Sequence, residues 1–313
     1  MLSFVPSQAN PLAAALSYKA RTGGPGAARG KIVAAGAGWR VVDIVCTAGP
    51  SDPPFEERFA YASVSLVLSG TFVCRSDHGS WLMSPGALLL GRVGRPFECS
   101  HQYGEGDRCL SFQFDPELFE RIGRDAAGSL IALDRHPLPP LRALAALTAR
   151  ARAAVEGQRW CKDSFEEIAF ELAGGIIRMK PPTGRDPVGA AERDRDRVAG
   201  ALRVLETSFV QSHTLAELAQ IAGLSRYHFL RMFKRVMGLT PHQWILRARL
   251  RDAAQRLVAS RALVTDIALE VGFEDLSNFV RSFRAEFGVS PSRYRITAKK
   301  QPLTSAVALA AHT

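Results

Sequence analysis

From Trp39 to Phe114 the chain alternates short apolar runs with turn residues. WRVVDIVCT, SVSLVLSGTFVC, SWLMSPGALLLG, FECSH and RCLSFQF follow one another, broken by Gly70, the Ser84-Pro85-Gly86 turn and the Gly104–Gly106 loop. Strands of this length between turn signals predict an antiparallel barrel or sandwich. Asp115-Pro116-Glu117 then predicts a helix start, with a capping Asp and Pro at the first helical position. Two amphipathic helical stretches follow, Leu141–Val155 and Ser164–Met179. Leu141, Leu144, Leu147 and Ala151 form one apolar stripe; Phe165, Ile168, Ala169, Leu172 and Ile176 form another. Either stripe can pair two subunits or pack on the strands. PPTGRDPVG at 181–189 has linker composition, and the pattern beyond it is helical. The Ala- and Gly-rich first 30 residues, ending in TGGPGAARG, are expected to be largely unstructured.

The helical region contains a repeat. LAELAQIAGLSRYHFLRMFKRVMGLTPHQW at 215–244 matches VTDIALEVGFEDLSNFVRSFRAEFGVSPSRY at 264–294. Ala219 and Gly223 align with Ala268 and Gly272 at a spacing of 49; Phe229, Arg231, Phe233, Gly238 and Pro241 align with Phe279, Arg281, Phe283, Gly288 and Pro291 at a spacing of 50. The second copy therefore has one extra residue just after its glycine. In each copy a small Ala permits a close helix crossing, the Gly supplies a left-handed turn, and a second amphipathic helix follows. In the first copy Ser225 is placed to cap that helix, Phe229, Met232, Phe233 and Val236 form its apolar face, and Arg226, Tyr227, Leu230, Arg231, Lys234 and Arg235 fall on its open side. In the second, Leu276, Phe279, Val280, Phe283 and Phe287 supply apolar positions, leaving Ser277, Asn278, Arg281, Ser282 and Arg284 outward. This is the helix-turn-helix pattern, whose second helix enters a DNA major groove. The helix from Pro241 joins the copies, and its Arg247, Arg249, Arg251 and Arg256 are candidates either for phosphate contact or for a solvated face.

Charge sharpens this picture. Of the formal +10, residues 190–300 carry 19 basic and 11 acidic side chains, whereas residues 1–189 carry 21 and 19. A polyanionic partner would therefore meet the repeat region. Arg outnumbers Lys 33 to 7, and Arg can bond guanine and phosphate bidentately. Five cysteines (Cys46, Cys74, Cys99, Cys109, Cys161), none in a CxxC spacing, indicate neither a disulfide framework nor a zinc site and fit a reducing cytoplasm. No run is long enough to span a membrane, and no signal peptide is recognised.

GFEDLSNFVRSFRAEFGVSPSRYR at 272–295, together with the upstream copy, resembles the DNA-binding domain of AraC/XylS-type bacterial transcription regulators over about residues 195–297. The resemblance implies seven helices and a target read in two adjacent major grooves. It places base-reading positions on Tyr227, His228 and Arg231 in the first recognition helix and on Leu276, Ser277, Asn278 and Arg281 in the second. Leu276 departs from that role, since it can offer a thymine methyl contact but no hydrogen bond. Lys234 and Arg284 complete the expected DNA-facing set. The resemblance further implies an activator more than a repressor, with double-stranded promoter DNA and RNA polymerase as partners, a small-molecule effector of unknown identity, and a possible homodimer.

The strand-rich segment resembles, more loosely, the cupin-like effector domain of those regulators. The fold expected is thus multidomain α+β: an unstructured 1–30, a cupin-like β-barrel domain with flanking helices at 31–180, a linker at 181–192, an all-α DNA-binding domain at 193–298 and a flexible tail at 299–313. Trp39, Phe72, Trp81, Phe97, His101, Tyr103 and Phe112 are possible liners of the barrel. A cupin enzyme would hold a metal through an HxH pair and a Glu; the strand segment 39–114 offers only His78 and His101, with no HxH pair, so no metal or cofactor is expected. No nucleophile elbow, phosphate loop or paired-carboxylate motif stands out. A transcription regulator that is not an enzyme is the leading expectation. A metal-dependent cupin-type enzyme with a DNA-binding appendage and a ligand-independent DNA-binding regulator remain the alternatives.

Overall fold

The computed structural model describes residues 10–77, 79–127, 137–156, 162–179 and 191–300. His78, Cys161, residues 181–190 of the expected linker and residues 301–313 of the expected tail lie outside the described residues. The architecture is mixed: sheets with flanking helices precede an all-helical unit.

The expectation of unstructured residues up to 30 is corrected where they are described. Helix α1 (Pro11–Thr22) is capped by Asn10, whose side chain accepts from the Leu12 N–H, has Pro at its first position, and ends on Gly23 in the left-handed conformation. Lys19 ties it to the body through Asp52 Oδ2 at 2.7 Å and the Thr47 carbonyl at 2.9 Å. Strand β1 (Ala28–Gly36) pairs antiparallel with β2 (Trp39–Cys46).

β1, β2, β4 (Ala62–Gly70), β7 (Leu88–Gly91) and β9 (Asp107–Phe114) form a five-stranded antiparallel sheet in the order β1-β2-β9-β4-β7. β3 (Phe55–Arg58), β5 (Phe72–Ser76), β6 (Gly79–Met83) and β8 (Pro96–Ser100) form a second, ordered β3-β8-β5-β6. Among the described residues the two sheets do not join into a closed barrel, so that part of the expectation is not met.

Alternation along the strands gives each sheet two faces. Val41, Val64 and Phe112, which are cross-strand neighbours, face α2 (Pro116–Ala127), α3 (Ala145–Val155) and α4 (Lys162–Arg178). Leu118, Ile168, Leu172 and Ile176 pack there, and the two stripes at 141–151 and 165–176 belong to this same core. The intramolecular reading of those stripes is thus the one realised. On the other face Val67 and Cys109 meet Phe72, Cys74, Met83 and Cys99 of the second sheet. This sorts the expected liners. Phe72, Trp81 and Phe97 of the second sheet lie between the sheets, whereas Trp39 and Phe112 point from the other face of the first sheet toward the helices.

Candidate nucleic-acid interface

Seven helices make up the rest of the described chain: α5 (Glu192–Ser208), α6 (Leu215–Ile221), α7 (Arg226–Met237), α8 (Pro241–Ala259), α9 (Val264–Glu270), α10 (Leu276–Phe287) and α11 (Pro291–Lys300). α6–α7 and α9–α10 are the two helix-turn-helix units. In the first, Thr214 and Glu217 form a reciprocal capping box at the start of α6, and the Ser225 hydroxyl accepts from the His228 N–H at the start of α7. In the second, Asp275 caps α10 by accepting from the Ser277 and Asn278 N–H groups. The one-residue insertion seen in the repeat falls between the turn glycine and this cap: Gly223 stands two residues before Ser225, and Gly272 three before Asp275. Gly272 has φ +94°, and a Cβ there would lie 2.3 Å from the Val210 carbonyl oxygen, so close approach and backbone conformation both demand glycine.

α7 and α10 are each 12 residues long and end on left-handed Gly238 and Gly288. Phe229 and Phe233 are fully buried against α5, α6 and α8; Phe279 and Phe283 occupy the equivalent positions in the second core. Burying one stripe turns the other outward. Tyr227 (64% exposed), His228, Arg231 and Lys234 lie on the open face of α7, and Ser277, Asn278, Arg281 and Arg284 on that of α10. Arg231 rests over the Tyr227 ring at 5.7 Å, and Arg281 donates to Asn278 Oδ1 at 3.2 Å. Both guanidinium groups are therefore held by exposed neighbours and free of any ion pair among those described. His228 Nδ1 sits 3.1 Å from the capping Ser225 hydroxyl, which directs the ring toward the helix start. Arg235, grouped with them by periodicity, instead pairs with Asp194 on α5.

Leu276 changes place. Counted among the apolar positions of α10, it is 42% exposed as the first residue of that helix. With Ser277, Val280, Arg281, Arg284 and Ala285 it lines an open groove of about 670 Å³. That leaves it available for the methyl contact that its chemistry allows.

The connecting helix α8 corrects a second expectation. Arg249 donates to the carbonyls of Phe209, Val210, Gln211 and Gly272, and so stitches the end of α5 to the turn of the second unit. Burial lowers its pKa. Arg247 bonds the Pro140 carbonyl and approaches Glu286 at 3.6 Å. Arg256 is paired with Asp252 and Glu270. Burial pulls the Arg251 pKa down to about 10, with Arg152 and Arg247 adding to the shift and Glu286 and Glu206 opposing it. Arg247, Arg249 and Arg256 are thus engaged by groups of the chain itself, and Arg251 is drawn inward by burial, so the four do not form a phosphate-facing row.

A family described as "Helix-turn-helix domain" matches residues 218–296. The probable transcriptional regulator LumQ of Photobacterium leiognathi is 37% identical over 108 residues, which cover 33% of this chain and 43% of that protein. The transcriptional regulator ExsA of Pseudomonas aeruginosa is 34% identical over 257 residues, covering 78% of this chain and 89% of that protein. The chain belongs to the AraC family of transcriptional regulators. Among solved structures, the DNA-binding domain of AdpA in complex with a target DNA is similar at 27% identity and a TM-score of 0.32, covering 33% of this chain and 93% of that one.

In this AraC-family chain the helical unit is docked on the second sheet. Val73 and Leu82 join the core of α5–α8. The Tyr103 hydroxyl donates to Asp196 at 2.6 Å, and Arg203 donates to the Tyr103 carbonyl at 3.1 Å. Burial, with Asp196 adding to it, pushes the Tyr103 pKa up to about 12, so this hydroxyl stays a donor. Thr71 bonds Glu206, whose pKa burial raises. Gln255 reaches Glu156, the residue that follows α3, at 2.9 Å. Tyr103, expected as a barrel liner, is thus an interdomain contact. No described helix is long and apolar enough to cross a membrane.

Proposed function

We propose that this protein is a cytoplasmic, sequence-specific DNA-binding transcription activator and not an enzyme. Its recognition helices α7 and α10 read adjacent major grooves of double-stranded promoter DNA. Arg231 and Arg281 act as base-reading residues, with Tyr227, His228, Leu276, Ser277 and Asn278 beside them and Lys234 and Arg284 toward phosphate. The observation that carries this reading is the equivalence of Arg231 and Arg281: two exposed cations at the same place in two repeated units, each presented by a capped helix. Phosphate contacts supply affinity and its salt dependence, and the two helices supply sequence preference.

In the same reading the cupin-like sheet region, residues 31–180, binds a small-molecule effector. Its docking through Tyr103 and Thr71 passes the bound state to the helical unit at 193–298. RNA polymerase is the partner at the promoter, and a second copy of the chain completes the regulator. Selecting bound sequences from random duplex DNA with the full chain, with and without cell extract, tests this. Two base clusters separated by about one helical turn, roughly 10 base pairs, are expected; absence of enrichment overturns it.

A further inference from the structure

Three buried residues, one of them 55 positions from the next, converge between the sheets. Cys46 ends β2, Asp107 opens β9 directly opposite it, and His101 follows β8 on the other sheet. One donor atom from each, a sulfur, an imidazole nitrogen and a carboxylate oxygen, lie within 4.8 Å of one another. His101 Nε2 is 2.6 Å from Asp107 Oδ1, and the second carboxylate oxygen accepts from Cys109 Sγ at 3.1 Å. The imidazole stacks with Phe72 and Phe55, its centroid 5.7 Å and 6.3 Å from theirs, and the side chain is 1% exposed. His101 Nδ1, equally buried, has no hydrogen-bond partner among the described residues. The backbone closes tightly around the cluster: a Cβ on Gly70 (φ +82°) would lie 2.7 Å from Asp107 Cα, and one on Gly106 (φ +67°) 2.6 Å from the Cys46 carbonyl oxygen.

We propose that Cys46, His101 and Asp107 form a zinc-class divalent metal site. Mixed sulfur, nitrogen and carboxylate donors suit zinc and discriminate against magnesium and calcium, which take oxygen. Around a tetrahedral ion bound at about 2.0–2.3 Å, donors stand roughly 3.3–3.8 Å apart. The His101–Asp107 pair, 2.6 Å apart, therefore opens by roughly 0.7 Å to admit the ion. The bound ion takes the place of the proton between His101 and Asp107. All three donors are buried, and Phe72 and Phe55 stack on the imidazole. Its position gives it reach, since His101 stands two residues before Tyr103, the residue that clasps α5.

The site is independent of the DNA-reading proposal and is tested without DNA. The full chain, purified under reducing conditions and stripped with a chelator, is titrated with zinc against a chromophoric competitor and, separately, with cobalt. One equivalent of zinc, a rise in melting temperature on loading, and a cobalt-thiolate charge-transfer band are expected. Cys46→Ser should abolish that band, and His101→Gln should weaken zinc binding by more than about tenfold. Cys74→Ser, which alters a neighbouring buried thiol outside the donor set, should keep both. Zinc below one equivalent, or cobalt bound without a thiolate band, overturns the proposal. The wild-type titrations decide it even if a ligand variant fails to fold.

Discussion

Arg247, Arg249 and Arg256 of α8 and Arg231 and Arg281 of the recognition helices come from the same composition and lie within one small helical unit, yet their surroundings are opposite. Arg249 is enclosed by four carbonyl oxygens, and Arg247 and Arg256 are paired. Arg231 and Arg281 meet only an exposed ring and an exposed amide. A cation in contact with carbonyls and carboxylates has had its hydration replaced and holds the fold together. A cation left in water keeps its donors for a partner. Positive charge in a DNA-binding sequence is thus two populations, and only their surroundings separate them.

The largest effect that would test this division is on stability. Arg249→Ala leaves four carbonyls without their donor and should cost about 2–4 kcal/mol in chemical denaturation; a change near zero would erase the distinction. Arg231→Ala should do the reverse, weakening binding to the selected site by ~1–3 kcal/mol while leaving the melting temperature and random-duplex affinity almost unchanged. Equal losses on selected and random DNA would make Arg231 a phosphate contact only. Arg256→Ala removes two surface ion pairs, and stability should fall by less than about 1 kcal/mol, with no change in the salt dependence of DNA binding.

The smallest effect concerns a carboxylate used like Arg249. Asp52 accepts from Lys19, Gly26 N–H and Gly49 N–H, which hold its pKa at about 2 against an ordinary 3.8. Because the folded value is depressed, its contribution is complete above pH 3.8 and is lost as pH falls toward 2. Limited acid proteolysis should release α1 across that window, and Asp52→Asn should abolish the pH dependence.

The helical unit was far more legible than the sheets. A duplicated pattern of Ala, Gly and paired phenylalanines, with Ser225 as cap in the first copy, specifies each helix-turn-helix locally, down to the inserted residue after Gly272. Local chemistry also marked α1, through Asn10-Pro11 and Gly23, although the Ala- and Gly-rich composition argued for a chain without structure. β1 escaped because an edge strand lying mostly in water has little hydrophobic alternation to display. The candidate metal cluster escaped because its donors are separated by 55 and 6 residues and meet only through the β2–β9 register and the turn after β8.

Sequence alone therefore determined where the helices of the two repeated units begin and end, and which of their faces is apolar, since caps, turn glycines and 3.6-residue periodicity act within a few residues. It also determined that the excess charge lies with the repeat. Only the tertiary structure decided which arginines are consumed by carbonyls, which parity of each strand faces the helices, and that Cys46, His101 and Asp107 share one pocket. Those outcomes depend on what lies opposite a side chain, and that is set by how distant segments pack.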